Sequence, residues 1–142
     1  MEEEHKFEFL DITTADVAFA AYGHSLEELF ANAALAMFEV MINTKQVKTK
    51  VKREVRIEAA DLQSLMFNWL NELLVFVGGE NLAFSKFDVK VKRLNGFKLR
   101  AKCFGEEMKP EHEIRTEVKA ATMHKLEVKK NKLWRAQVIL DI

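Results

Sequence analysis

The chain of 142 residues carries 22 Lys and Arg against 22 Asp and Glu, a formal net charge of zero, with 49% hydrophobic and 31% charged residues. That length holds one domain, residues 1–142, with a full hydrophobic core, and two domains would be cramped. Balanced charge gives the whole molecule no net field to gather nucleic acid, and the apolar runs are too short to cross a bilayer.

The start Met1-Glu2-Glu3-Glu4 is acidic, the opposite of the positive opening of a secretory signal. One cysteine, Cys103, has no internal disulfide partner, in keeping with a reducing compartment. Both observations predict a cytoplasmic protein. A single proline, Pro110, and five glycines leave little room for a flexible linker.

Residues 5–11 alternate, with Phe7 and Phe9 on one side, and Val17 to Tyr22 forms a second β-type run closed by Gly23. Ser25-Leu26-Glu27-Glu28 is a capping box, and the stripe Leu26, Leu29, Phe30, Ala33, Met37, Val40 and Met41 predicts a helix through about Ile42. From Val47 to Ala59 the period becomes two, a half-exposed strand. Asp61 caps a second helix whose wide apolar face, from Leu62 to Leu74, marks it as the more buried of the two; Gly78-Gly79 is expected to stop it.

Phe87 to Leu94, Asn95-Gly96 and Phe97 to Phe104 read as a hairpin with a two-residue turn. Residues Gly105 to Glu113 read as a loop, followed by strands Glu117 to Lys129 and Leu133 to Leu140. Two early helices and four late strands predict an α+β two-layer sandwich, both helices packed on one face of a mostly antiparallel mixed β-sheet.

Most catalytic templates are absent. There is no Gly-rich phosphate loop, nucleophile elbow or His-Glu-x-x-His pattern, and four histidines with one cysteine lack zinc-finger spacing. Cys103 sits in an alternating apolar pattern, which predicts a buried thiol rather than a nucleophile. The outward positions of the hairpin, Lys90, Lys92, Lys98, Arg100 and Lys102, are all basic. Such a face suits RNA or an acidic partner, or is a solvated surface whose lysines discourage edge pairing, and no aromatic residue interleaves with the cations for base stacking. At the other end of the chain, Val138-Ile139-Leu140 runs into Asp141 and Ile142. The Asp141 carboxylate and the α-carboxylate of Ile142 on one fixed strand suit a hard cation such as Ca²⁺ or Mg²⁺.

Thr14-Ala15-Asp16-Val17, leading through Tyr22-Gly23 into the capped helix at Ser25, resembles the archease family. The resemblance extends through Ala33-Ala34-Leu35-Ala36-Met37-Phe38, Asp61-Leu62-Gln63-Ser64-Leu65 and Phe97-Lys98-Leu99-Arg100. It continues in Gly105-Glu106-Glu107, Glu117-Val118-Lys119-Ala120 and the final Asp141-Ile142. These blocks run from residue 7 to residue 142 in the family's order.

The resemblance implies an accessory protein of a GTP-dependent RNA-splicing ligase, which joins a 3′-phosphate or cyclic phosphate end to a 5′-hydroxyl. Its expected role is to promote guanylylation of that ligase and repeated turnover without performing ligation. The family's metal site maps onto Asp16 and Asp141, completed by the α-carboxylate of Ile142, with Ca²⁺ expected and Mg²⁺ or Mn²⁺ as alternatives. Lys119 matches a family lysine and is expected near the site as a polar or partner contact.

One position departs from the pattern: the family's Asp-His-Thr-Ala-Asp appears here with Ile12 and Thr13 in its first two places, and Asp11 is one residue out of register. Thr13 is expected to replace the histidine in part, by hydrogen bonding behind the ligands. Two other functional classes stand beside the activator reading. One is a chaperone-like adaptor for RNA-processing or RNA-modifying proteins, using the basic hairpin face; the other is a metal-dependent hydrolase of RNA ends, which lacks a convincing acid–base pair.

Overall fold

In the computed structural model, which describes residues 5–142, chain order begins with two strands, β1 (Phe7–Leu10) and β2 (Val17–Gly23), and helix α1 (Leu26–Met41). A short 3₁₀ turn, Thr44–Gln46, leads to β3 (Val51–Ala59) and helix α2 (Leu62–Glu80). Then come β4 (Leu82–Arg93), β5 (Phe97–Glu107), β6 (Ala120–Ala121), β7 (Glu127–Lys130) and β8 (Trp134–Asp141).

The α+β class and the two helices are as the sequence predicts, but the strands form two sheets where one was expected. One sheet runs β1-β2-β8-β6 with β7 also paired to β8; the other runs β3-β5-β4. All the pairings are antiparallel. No helix among the described residues is long and apolar enough to cross a membrane.

Both helix starts follow from local chemistry. The Ser25 hydroxyl accepts from the Glu28 N–H at 3.1 Å, and Glu28 reaches back to the His24 N–H at 3.3 Å. The Asp61 carboxylate accepts from the Ser64 N–H at 2.7 Å. Contrary to the sequence reading, α1 and not α2 is the more buried helix, with ten buried residues of sixteen against five of nineteen. The cause is the run of small side chains Ala33, Ala34 and Ala36, all at 0% exposure, which lets α1 lie against strands of both sheets. The Trp69 indole N–H of α2 donates to the Phe30 carbonyl at 2.9 Å, joining the helices inside the core.

Helix α2 does not stop at Gly78-Gly79. It runs through them and ends at Asn81, in the left-handed region at φ 56°, whose N–H donates to the Val77 carbonyl at 3.0 Å. Each glycine costs a helix about 1 kcal/mol, but the tertiary contacts beyond them hold the last turn. Arg53 pairs with Glu80 at 2.6 Å, and Asn81 exchanges hydrogen bonds with the Met108 backbone.

Strand β4 therefore begins at Leu82, five residues before the expected Phe87, and β5 continues past Phe104 to Glu107. Gly105 belongs to that strand and not to a loop: a Cβ there would stand 1.8 Å from the Ala83 carbonyl oxygen, so only glycine permits this approach of β5 to β4. The hairpin turn has three residues, since Arg93 pairs with Phe97, and it uses Asn95 at φ 47° and Gly96 at φ 107°.

The expected strand Glu117 to Lys129 is broken. Ala121 opposes Leu140 and Glu127 opposes Gln137, so six residues on one side span three on β8, and the excess bulges out around Lys125 at φ 53°. Strands β6 and β7 are two successive pieces along the same edge of β8. The free edge of β6 is closed by a side chain: the Asn71 amide of α2 donates to the Ala121 carbonyl at 3.1 Å and accepts from the Ala121 N–H at 3.0 Å.

The segment after β5 is held by a buried carboxylate. Glu106, 4% exposed, accepts from the Lys48 N–H at 2.8 Å and meets His112 Nε2 at 3.1 Å, with the Lys50 and Lys109 ammoniums at 3.8 and 3.9 Å. His112 Nδ1 accepts from the Lys109 N–H at 2.9 Å, which leaves Nε2 to carry the proton facing Glu106. The Lys48 N–H, opposed by burial and assisted by His112 and Lys50, holds the Glu106 carboxyl below the usual glutamate range.

Asn71→Ala leaves both backbone groups of Ala121 unpaired and should destabilise the fold by about 2 kcal/mol, read as a lower urea midpoint at unchanged slope. Glu106 has a folded pKa below its unfolded value, so its contribution is complete above the ordinary carboxylate range, about 4.3, and is lost as pH falls through the folded value. Urea midpoints of Glu106→Gln measured against pH should fall less steeply through that acid window than those of the parent; parallel curves would contradict this role.

Candidate functional site

The pairing of β2 with β8 decides where the sequence-predicted ligands lie. Its final pair is Val17 with Leu140; one residue further along each chain stand Asp16 and Asp141, so the register carries them to the same end of the same strand pair. Leu140 belongs to the core cluster, as does Val138 two residues before it, so the strand's alternation turns Asp141 to the opposite, outer face. Asp141 is exposed, Asp16 is half-buried, and Ile142 packs partly buried against the core.

On the other side of β8, Asp141 pairs with Ala120, and the Lys119 N–H donates to the Asp141 carbonyl at 2.8 Å. The structure thus brings Lys119 beside Asp141 through backbone pairing. Asn71, which sequence reasoning missed, supports this arrangement by fixing β6 from behind. Its signal in the sequence is a lone amide on the inward side of α2, between Leu70 and Leu73. Thr13 lies half-buried in the irregular 11–16 segment that leads into Asp16, with Asp11 and Ile12 exposed in the same segment.

Two carboxylates brought to one end of adjacent strands repel each other unless a cation balances them. The oxygen-only donor set fits a hard divalent ion of the Ca²⁺ or Mg²⁺ kind. Among the described residues no cluster of three or more His, Cys, Asp or Glu could hold a metal, so these two side chains would have to be supplemented by main-chain or terminal oxygen, water or a partner. Cys103 is not a competing nucleophile, because burial pushes its thiol up to about 12.

The basic hairpin is a second candidate and proves larger than the sequence indicated. Strand β5 is the centre of its sheet, so the cations at Lys98, Arg100 and Lys102 are flanked on both sides. Arg100 stands between Arg56 and Lys90, Lys98 between Glu58 and Lys92, and Lys102 between Glu54 and Asp88. Phe104 ends the row between Lys52 and Lys86, with the Lys86 ammonium 5.5 Å from its ring centre. The contribution of β3 is invisible until β3 and β5 are seen to pair.

The sequence pattern of the Archease protein family matches residues 7–142. The chain is 49% identical to the protein archease of Methanothermobacter thermautotrophicus over 138 residues, covering 96% of this chain and 98% of that one. It is 45% identical to the protein archease of Pyrococcus abyssi over 133 residues, 91% of this chain and 94% of that one. The solution structure of Methanobacterium thermoautotrophicum protein 1598 superposes with a TM-score of 0.85 at 49% identity, over 96% of this chain and 99% of the other. With sequence pattern, whole-length identity and fold in agreement, the chain belongs to the archease family.

Proposed function

We propose that this archease is an accessory protein of a GTP-dependent RNA-splicing ligase in the cytoplasm, promoting its guanylylation and repeated turnover without itself joining RNA ends. The observation that carries the reading is the β2–β8 register, which delivers Asp16 and Asp141 to one outer edge with Lys119 beside them. In this reading Asp16 and Asp141, with the α-carboxylate of Ile142, hold a divalent ion, Ca²⁺ or alternatively Mg²⁺ or Mn²⁺. When bound, the ion would supply concentrated positive charge at the surface offered to the ligase.

The residues of this chain then divide the work. Asp16 and Asp141 provide anionic oxygen, Asp141 from the end of β8 and Asp16 from the residue just before β2, so the paired strands hold both near their places before docking. The Lys119 side chain, on the strand edge next to Asp141, is placed to meet the partner or to steady a carboxylate. Thr13 supports Asp16 through the segment they share, in place of the family's histidine. An exposed carboxylate edge also favours partners whose own centre is metal-rich, because the two surfaces complement in charge.

The test is ligation by the matching ligase, with RNA substrate in large excess and this protein substoichiometric. Stimulation beyond one turnover is expected, and Asp16→Ala or Asp141→Ala should abolish it while shifting stability by no more than about 0.5 kcal/mol. Calorimetric titration with Ca²⁺ should show the same two variants losing binding. Full stimulation by a folded Asp141→Ala protein would rule the reading out.

A further inference from the structure

The open face of the β3-β5-β4 sheet is not used by the carboxylate edge. Its twelve cross-strand positions on β3, β4 and β5 hold eight cations, three carboxylates and Phe104, and all but the half-buried Phe104 are exposed. The face therefore carries five net positive charges. Outside this face the described residues carry 14 basic and 16 acidic side chains, so the positive charge is concentrated on one side of the sheet. The neutral total conceals one strongly basic face.

Two of the three carboxylates are engaged within the face, Glu58 with Lys98 at 3.6 Å and Asp88 with Lys90 at 3.9 Å. The central row, Arg56, Arg100 and Lys90, contains no carboxylate at all. Three cations stand abreast there at inter-strand spacings of about 4.8 Å, an arrangement that costs stability unless an anion lies over it. The face is hollowed, enclosing about 730 Å³ between the outer strands.

We propose that this hollow binds the sugar–phosphate backbone of single-stranded RNA without regard to sequence. The choice between a polyanionic strand and an acidic protein follows from what lines the hollow. A protein partner is anchored by buried aromatic and aliphatic groups at the centre of its interface. Here the centre is Arg100 among cations, the outward aromatic is at one end, and the exposed leucine, Leu94, borders the hollow from the hairpin tip.

Along each strand the outward positions repeat every second residue, about 6.8 Å, so the cations form parallel tracks that can follow successive phosphates. With no aromatic platform in the centre, bases gain nothing by stacking, and affinity must come from phosphate neutralisation and fall with salt. The choice of RNA over DNA rests on the ligase reading; the electrostatic argument does not.

Fluorescence anisotropy with a short labelled single-stranded RNA of mixed sequence tests the proposal, using the full chain without ligase. Binding is expected at about 50 mM salt, with log K falling against log salt at a slope of about −3.5 for five neutralised phosphates. Arg100→Glu should weaken binding by about tenfold and flatten the slope by about one. Glu58→Lys should tighten it, a gain that misfolding cannot imitate. Asp16→Ala should bind RNA like the parent, so loss of ligase stimulation and loss of RNA binding separate into different variants. Absence of binding at low salt, or insensitivity to both Arg100→Glu and Glu58→Lys, overturns the proposal. So does a labelled poly-glutamate peptide that binds as tightly as the RNA, which would assign the face to an acidic protein.

Discussion

The antiparallel pairing of β2 with β8 is the constraint on which the rest of the molecule depends. It joins segments from opposite ends of the sequence, sets Val17 against Leu140, and extends to β1 on one side and to β6 and β7 on the other. A slip of β8 by one residue in that register would turn its core residues Val138 and Leu140 outward. The same shift would part Asp16 from Asp141. The burial that stabilises the fold thus also fixes the acidic edge, and one interaction serves both.

Helix α1 gives this pairing something to pack on. Its small central residues allow strands from both sheets to close on it, and the turn at its start is tight enough that a Cβ at Gly23 would meet the Leu29 nitrogen at 2.5 Å. Asn32, buried in α1, ties the helix back to β2 through the Tyr22 carbonyl at 2.7 Å. At the other end, the backbone N–H groups of Arg115 and Thr116 donate to the Met41 and Val40 carbonyls, which the helix leaves without internal partners. The acidic edge and the basic sheet face occupy separate sheets.

What could be read from the sequence follows a physical division. The caps at Ser25 and Asp61, the strand alternation and the position of the Asn95-Gly96 turn are local signals and were legible, but the turn takes in Leu94 as well and has three residues where two were expected. Gly78-Gly79 misled because contacts beyond the pair carry the helix through it, with open space around both glycines, and Gly105 because it marks a close approach to Ala83 and not a loop. The burial of α1 was hidden because alanines read as weakly apolar until two layers are seen to meet on them. Among the candidate site residues, Asp141 stood out from the apolar strand it ends, but its association with Asp16 was legible only through family resemblance, since no spacing rule links residues so far apart. Asn71 and the β3 half of the basic face depend on pairing between elements, which periodicity does not encode.

The route by which the acidic edge comes into being also follows from β2 and β8. Contacts between segments this distant close a loop of almost the whole chain, and such contacts are costly to form early in folding. No fragment containing only the helices and the basic sheet can hold both carboxylates, however well it is structured. A partner that recognised Asp16 beside Asp141 would therefore engage finished molecules and pass over partly folded ones, and the acidic edge would act as a record of completed folding.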